Sequence, residues 1–243
     1  MWFLRPGFSI LIVALTSLVV SACSYSGARA PASRSYSDGR NHGPALPRVA
    51  FNEQSCLAAG LVRENKFVTA RSSLGGGSLF GGSHGGCGAE RPFVVAALAQ
   101  GQVGLSPAAT LRCPMVPAVD HWISNVVRPA ARRHFGREVV EIKVAASYAC
   151  RTRNSIRGAK LSEHGRANAL DVRAFVLAGG EEVTVKRGWS GWGAEGRFLR
   201  QVHKGACRSF TTVLGPNADR YHHDHFHMDL ARHGRTGTYR VCK

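Results

Sequence analysis

A chain of 243 residues that is 44% hydrophobic, with 28 glycines and 7 cysteines, has enough apolar surface for one folded domain. A formal net charge of +17 would suit a nucleic-acid binder, but no basic–aromatic RNA motif or recognition-helix pattern is present, so nucleic acid is not an expected partner. Lipid headgroups, acidic glycans and the carboxylates of cell-wall peptides would be attracted by the same charge, which does not choose among them.

In chain order, Arg5 precedes an apolar run from Ile10 to Val20, interrupted by Thr16 and Ser17. At about 11 residues the run is too short to cross a bilayer as a helix and fits the core of a secretory signal, expected over residues 1–22. Val20-Ser21-Ala22-Cys23 resembles a bacterial lipobox, in which the cysteine carries lipid and opens the mature chain. The protein is therefore expected to be exported to the bacterial cell envelope and held on a membrane through lipid at Cys23. Ordinary cleavage nearby, with Cys23 incidental, is the alternative. Ser24 resembles the outer-membrane sorting pattern, which favours the outer over the inner membrane, facing the periplasm. Residues 23–48, rich in Ser, Ala, Arg, Gly and Pro, lack the apolar side chains of a core and read as a flexible tether. Residues 49–243 remain as one domain.

With Cys23 acylated, Cys56, Cys87, Cys113, Cys150, Cys207 and Cys242 form an even set, as expected of three disulfides in an oxidising compartment. No C-x-x-C pair suggests a thiolate metal cluster. The pairing is open, as is the oligomeric state.

The domain begins with a short helix expected around 55–63, then a glycine-rich loop from Gly75 to Gly86 and a strand over 92–98. Val119, Trp122, Ile123, Val126 and Ala130 recur at helical spacing, ending at Gly136, with Pro129 as a kink or boundary. Alternation at Val140, Ile142, Val144 and Ala146 predicts a half-buried strand. Further strands are expected over 169–176 and 182–186, a helix over 196–206, and a last strand over 225–230. The fold class is α+β, a small antiparallel sheet with flanking helices, stapled by disulfides.

Of 11 histidines, four fall in Tyr221-His222-His223-Asp224-His225-Phe226-His227-Met228-Asp229. On a strand, His225, His227 and Asp229 share one face, while Phe226 and Met228 turn to the core. Upstream, His164 and Asp171 stand seven apart, with Asp171 in an apolar stretch where an unpaired carboxylate is costly. A cation resolves that cost, and zinc accepts nitrogen and carboxylate donors. His164, Asp171 and one strand histidine would complete a three-ligand site. A structural pair between Asp171 and an arginine is the competing reading.

Ser162-Glu163-His164, Asn168-Ala169-Leu170-Asp171, Thr212-Val213-Leu214-Gly215-Pro216 and His223-x-His225-Phe226-His227 together resemble the bacterial extensin-like C-terminal domain family over about residues 50–243. Its pattern is similar to that of the zinc peptidases of the D-alanyl-D-alanine carboxypeptidase and murein endopeptidase group. That resemblance implies a hedgehog/D-Ala-D-Ala-peptidase-like core, with Zn2+ held by His164, Asp171 and His227. It also implies catalytic roles for Asp224, three residues before the last ligand, or its rival His225. Arg151, Arg153 and Ser162 would bind substrate, the arginines by holding a carboxylate, although a solvated basic loop would read the same way. Ala167 departs from the pattern, where glycine is usual; if that glycine has a positive φ, alanine strains the turn. The expected function is zinc-dependent hydrolysis of peptide or amide bonds in peptidoglycan peptides. A non-catalytic envelope-binding module with a structural zinc, using His222, His223 or His225 as fourth ligand, is the first alternative. A basic adhesin without metal is the second.

Overall fold

The computed structural model describes residues 53–72, 74 and 86–243. The expected signal, the lipidated Cys23, the tether, and the glycine-rich stretch up to residue 85 lie outside them. All described residues belong to one compact unit, Pro44–Lys243.

The elements follow as α1 (Glu53–Ala58), β1 (Val68–Ala70), β2 (Phe93–Leu98), β3 (Val103–Leu111), α2 (Met115–Trp122), α3 (Arg128–Phe135) and β4 (Val139–Ala146). After them come β5 (Ala169–Leu177), β6 (Glu182–Thr184), α4 (Val185–Gly188), α5 (Ala194–Ser209), β7 (Thr212–Leu214), β8 (Phe226–Asp229) and β9 (Val241–Cys242). A π-helical turn, Ile123–Val127, joins α2 to α3. The strands order as β1-β2-β3-β4-β5-β8-β7-β9, with β6 also on β5.

The α+β class holds, but the expected small antiparallel sheet is corrected to a nine-stranded mixed sheet. β3 pairs parallel with β4, and β7 parallel with β9. The α2–α3 segment supplies the crossover that a parallel neighbour requires.

Element boundaries also differ from expectation. The first helix stops at Ala58, and the strand expected over 182–186 ends at Thr184, so that Lys186 lies in α4, whose start is capped by the Thr184 hydroxyl. Pro129 sits at the opening of α3, directly after the π turn, where the wider turn has already shifted the hydrogen-bond ladder and so accommodates the residue that cannot donate to it. Gly136 closes that helix in the left-handed region at φ 65°.

Helices α2–α3 and α5 cover the apolar face of the sheet. Trp122 is fully buried, donates Nε1–H to the Val202 carbonyl at 3.0 Å, and meets Phe175 and Phe210 edge-on. Phe226 and Met228 of β8 and Leu170 and Val172 of β5 join the same core, as the alternating pattern requires. Their intervening residues therefore project from the opposite face. Val172 and Phe175 both face the core because a β-bulge at Arg173 in the β4–β5 ladder shifts the alternation by one residue.

Three disulfides staple the domain: Cys56–Cys113, Cys87–Cys150 and Cys207–Cys242.

Candidate metal centre

Asp171 and His227 are direct cross-strand partners in the antiparallel β5–β8 ladder, both on the face away from the core. His164 reaches them from a 3-10 turn, Glu163–Arg166. The Ser162 hydroxyl caps that turn by accepting the His164 N–H, and Ala167 ends it in the left-handed region at φ 51°. The condition stated for Ala167 is thus met: a Cβ occupies a conformation that costs about 1 kcal/mol for an L-residue. Burial of the Ala167 methyl, which is wholly enclosed, offsets part of it.

The three residues are 1%, 4% and 9% exposed. His164 Nε2 lies 3.1 Å from Asp171 Oδ2 and 3.2 Å from His227 Nδ1, which is 2.8 Å from Asp171 Oδ1. Around a tetrahedral zinc, nitrogen and oxygen donors at about 2.0–2.2 Å are separated by roughly 3.3 Å, so the convergence fits a small cation. The opposite ring edges fit as well. His164 Nδ1 donates to the Ser147 carbonyl at 2.6 Å, and His227 Nε2 to Asp229 Oδ2 at 3.0 Å. Such partners orient ligating imidazoles and fix their tautomers. With Nδ1 turned to the Ser147 carbonyl, Nε2 is the nitrogen that His164 sets 3.1 Å from the Asp171 carboxylate. A cation or a proton between that nitrogen and the carboxylate oxygen makes so close a contact favourable.

Without metal, the proton does part of that work. Burial works against charge at Asp171, but hydrogen bonds from His164 and His227 outweigh it and hold the carboxyl far below its ordinary range. Burial also opposes charge on His227, yet hydrogen bonds to Asp171 and Asp229 raise it to about 9. Asp229 is likewise lowered, burial being outweighed by its bond from His227.

One side of the centre opens on a cleft of about 360 Å³, lined by Arg151, Arg153, Ser162, His222 and His225 among others. Arg151 Nη2 stands 4.0 Å from Asp171 Oδ2, farther than either imidazole, so the carboxylate is not primarily an arginine partner. Arg153 is exposed at the rim. Asp224 lies in the turn before β8, as its proposed role required, but its half-exposed carboxylate accepts from His225 Nδ1 at 2.9 Å and does not line the cleft. His225 Nε2 lies 3.7 Å from Asp171 Oδ2. A parallel pair flanks it: Asp219 accepts from His222 Nδ1 at 2.7 Å, and the His222 ring sits 5.3 Å from His225 and 5.7 Å from His227.

Sequence reasoning gave no role to Asp229, Asp219 or the Ser147 carbonyl. The His-x-Asp alternation on β8 was the available signal for Asp229. Nothing local pointed to Ser147, which is 17 residues from His164.

The fold and centre thus define a disulfide-stapled α+β domain with a buried His/Asp/His constellation at a cleft. Residues 78–243, more than half of the chain, match the family described as extensin-like protein C-terminus, and the chain belongs to that family. No curated protein and no solved structure matches it.

Proposed function

We propose that the chain is a zinc-dependent hydrolase of the bacterial envelope that cleaves peptide or amide bonds of peptidoglycan peptides. The observation that carries this reading is the convergence of three donor atoms, with both imidazoles oriented from behind, on the wall of an open cleft. Three protein ligands and an open side are the arrangement of catalytic zinc, whereas structural zinc is closed by four. Zinc held by His164, Asp171 and His227 would supply a Lewis acid for an amide carbonyl and an activated water.

The chain's own groups divide the remaining tasks. His225 carries the proton from the attacking water to the leaving amine, since its Nε2 faces the centre while Nδ1–H is anchored on Asp224. Asp224 then acts by orienting His225. Arg151, a third exposed at the cleft wall, holds a substrate carboxylate, and Arg153 attracts it from the rim. The peptidase resemblance, the lipobox-like Val20–Cys23 segment and the +17 charge agree with an anchored envelope protein that works on acidic wall peptides. Among the described residues, no helix is long and apolar enough to cross a membrane.

One observation favours a second reading, a structural zinc in a binding module. His225 Nε2, 3.7 Å from Asp171 Oδ2, is near enough to close the fourth position. Zinc analysis of the purified chain, combined with digestion of peptidoglycan fragments by wild type, Asp224→Ala and His225→Gln, separates the two. Bound zinc and cleavage that falls at least a hundredfold in His225→Gln support the hydrolase. Zinc loss in His225→Gln, with no cleavage by wild type, supports the staple.

A further inference from the structure

At the other end of β8's neighbourhood, β9 is fastened to α5 by Cys207–Cys242, whose Cα atoms are 5.9 Å apart. One helical turn before Cys207 stands His203, so the two side chains share a face of α5. His203 is 8% exposed, packed between Trp189 at 5.3 Å and Phe226 at 5.2 Å. Its Nε2 is buried with no hydrogen-bond partner among the described residues. An enclosed polar atom of this kind is costly unless something binds it. Burial also drives the imidazole toward its neutral, ligating form, against a weaker pull from the Lys243 backbone.

A ring nitrogen of His203 and the sulfurs of Cys207 and Cys242 lie within 4.8 Å of one another. This group shares no residue with the His164, Asp171 and His227 centre, and nothing in the proposed hydrolysis uses it. We propose that it is a second, redox-gated metal site: when the disulfide is reduced, His203, Cys207 and Cys242 bind a thiophilic cation such as zinc.

The chemistry balances with a dithiol as reductant. The Cys207–Cys242 bond breaks, the dithiol gives up two electrons and two protons and closes its own disulfide, and two thiols form. On metal binding those thiols release their protons to solvent as the sulfurs become thiolates. The sulfurs need to part only to roughly 3.8 Å, the separation of two thiolates around a tetrahedral zinc. Access fits the scheme, because Cys242 is exposed and Cys207 half-buried, whereas Cys56 and Cys113 are fully enclosed. The cation would keep the C-terminal strand pinned to α5 after the covalent pin is lost.

The test uses the full chain, reduced with a dithiol, freed of it under argon and titrated with Co2+ as a spectroscopic probe. Thiolate ligation gives a sulfur-to-cobalt charge-transfer band, which the His/Asp/His centre has no sulfur to produce. One equivalent of band-forming cobalt is expected in the reduced wild type and none in the oxidised protein. The band should vanish in Cys242→Ser, which alters an exposed residue near the chain end, and in Cys207→Ser. Affinity should fall at least tenfold in His203→Gln. A reduced wild type without the band, a band that survives either serine variant, or an unchanged His203→Gln affinity overturns the proposal.

Discussion

Asp171 keeps a negative charge at 4% exposure because two imidazoles face it, and the charge on one of them depends on pH. His227 is raised from 6.5 to about 9 in the folded protein, so the folded state binds its proton more tightly than the unfolded chain. That contribution to stability is complete below about pH 6.5 and is lost as pH rises toward 9. Asp171 is shifted the other way, so its contribution is present above its ordinary value of 3.8 and fades as pH falls below it. Chelator-treated protein is therefore expected to be most stable between these limits. Thermal melts across the pH range should show a falling alkaline limb from about 6.5 to 9, absent in His227→Gln. A flat alkaline limb in wild type would contradict the assigned proton. A cation at Nδ1 must displace this proton, so metal affinity should increase over the same window, by at most about tenfold per pH unit. Asp171→Asn, which keeps the shape and removes the charge, should lower metal occupancy at least a hundredfold in equilibrium dialysis while leaving the fold intact.

At the scale of elements, the close packing of α5 against the π turn at Ile123–Val127 depends on one small residue. A Cβ at Gly205 would run into the Val126 side chain. Gly205→Ala would gain about 1 kcal/mol of helix propensity, but overpacking costs typically about 1–3 kcal/mol. A net loss of about 1 kcal/mol and a melting temperature lower by several degrees are expected; a stabilised variant would show the contact to be slack. The elements that could be read in advance were those with a clean period: the α2–α3 segment, α5, and β8 with its Phe226/Met228 core face. β4 could be read only in part: Ile142 and Val144 face the core, but a register shift between Val139 and Glu141 turns Val139 inward and leaves Val140 42% exposed. β3 could not. Gly104 and Pro107 argue against a central strand, yet it is paired on both edges. Its pairing with β2 lapses between Gly104 and Ala109, and its pairing with β4 ends at Ser106, so Pro107 sits where no ladder hydrogen bond is needed. β7 and β9 are too short to show a period, and the parallel β7–β9 pairing depends on contacts that cross the chain. In the site, the meeting of His164 and Asp171 with a strand histidine was legible from residue type and spacing, and the family resemblance picked out His227; the structure brings the three together. The direction of Asp224 was not, since it depends on how the turn before β8 closes.

For the whole molecule, the cysteine count implied three cross-links, but only the fold decides which distant residues they join. Cys87–Cys150 has a consequence for the centre that the other two lack. Gly88, next to Cys87, donates its N–H to the Gly165 carbonyl at 2.8 Å, and Ala149, next to Cys150, donates to the His164 carbonyl at 3.2 Å. The turn bearing His164 is thus held from both sides by residues adjoining one disulfide, while Cys87 Sγ lies close behind Gly165. Replacing both cysteines with serine should cost about 2–4 kcal/mol of stability, because the bond closes a chain segment of 63 residues. Metal affinity at the His/Asp/His centre should fall with it, since a looser turn no longer pre-positions Nε2. The Cys207→Ser/Cys242→Ser protein supplies the comparison. It should lose stability as well, yet keep wild-type affinity at that centre, because its bond joins α5 to β9 and touches none of the turn's hydrogen bonds. Denaturant melts and zinc titrations of the two double variants measure both quantities. Equal affinity in the two would mean that the β5–β8 ladder alone aligns the donors and that the disulfide beside the turn serves the fold only.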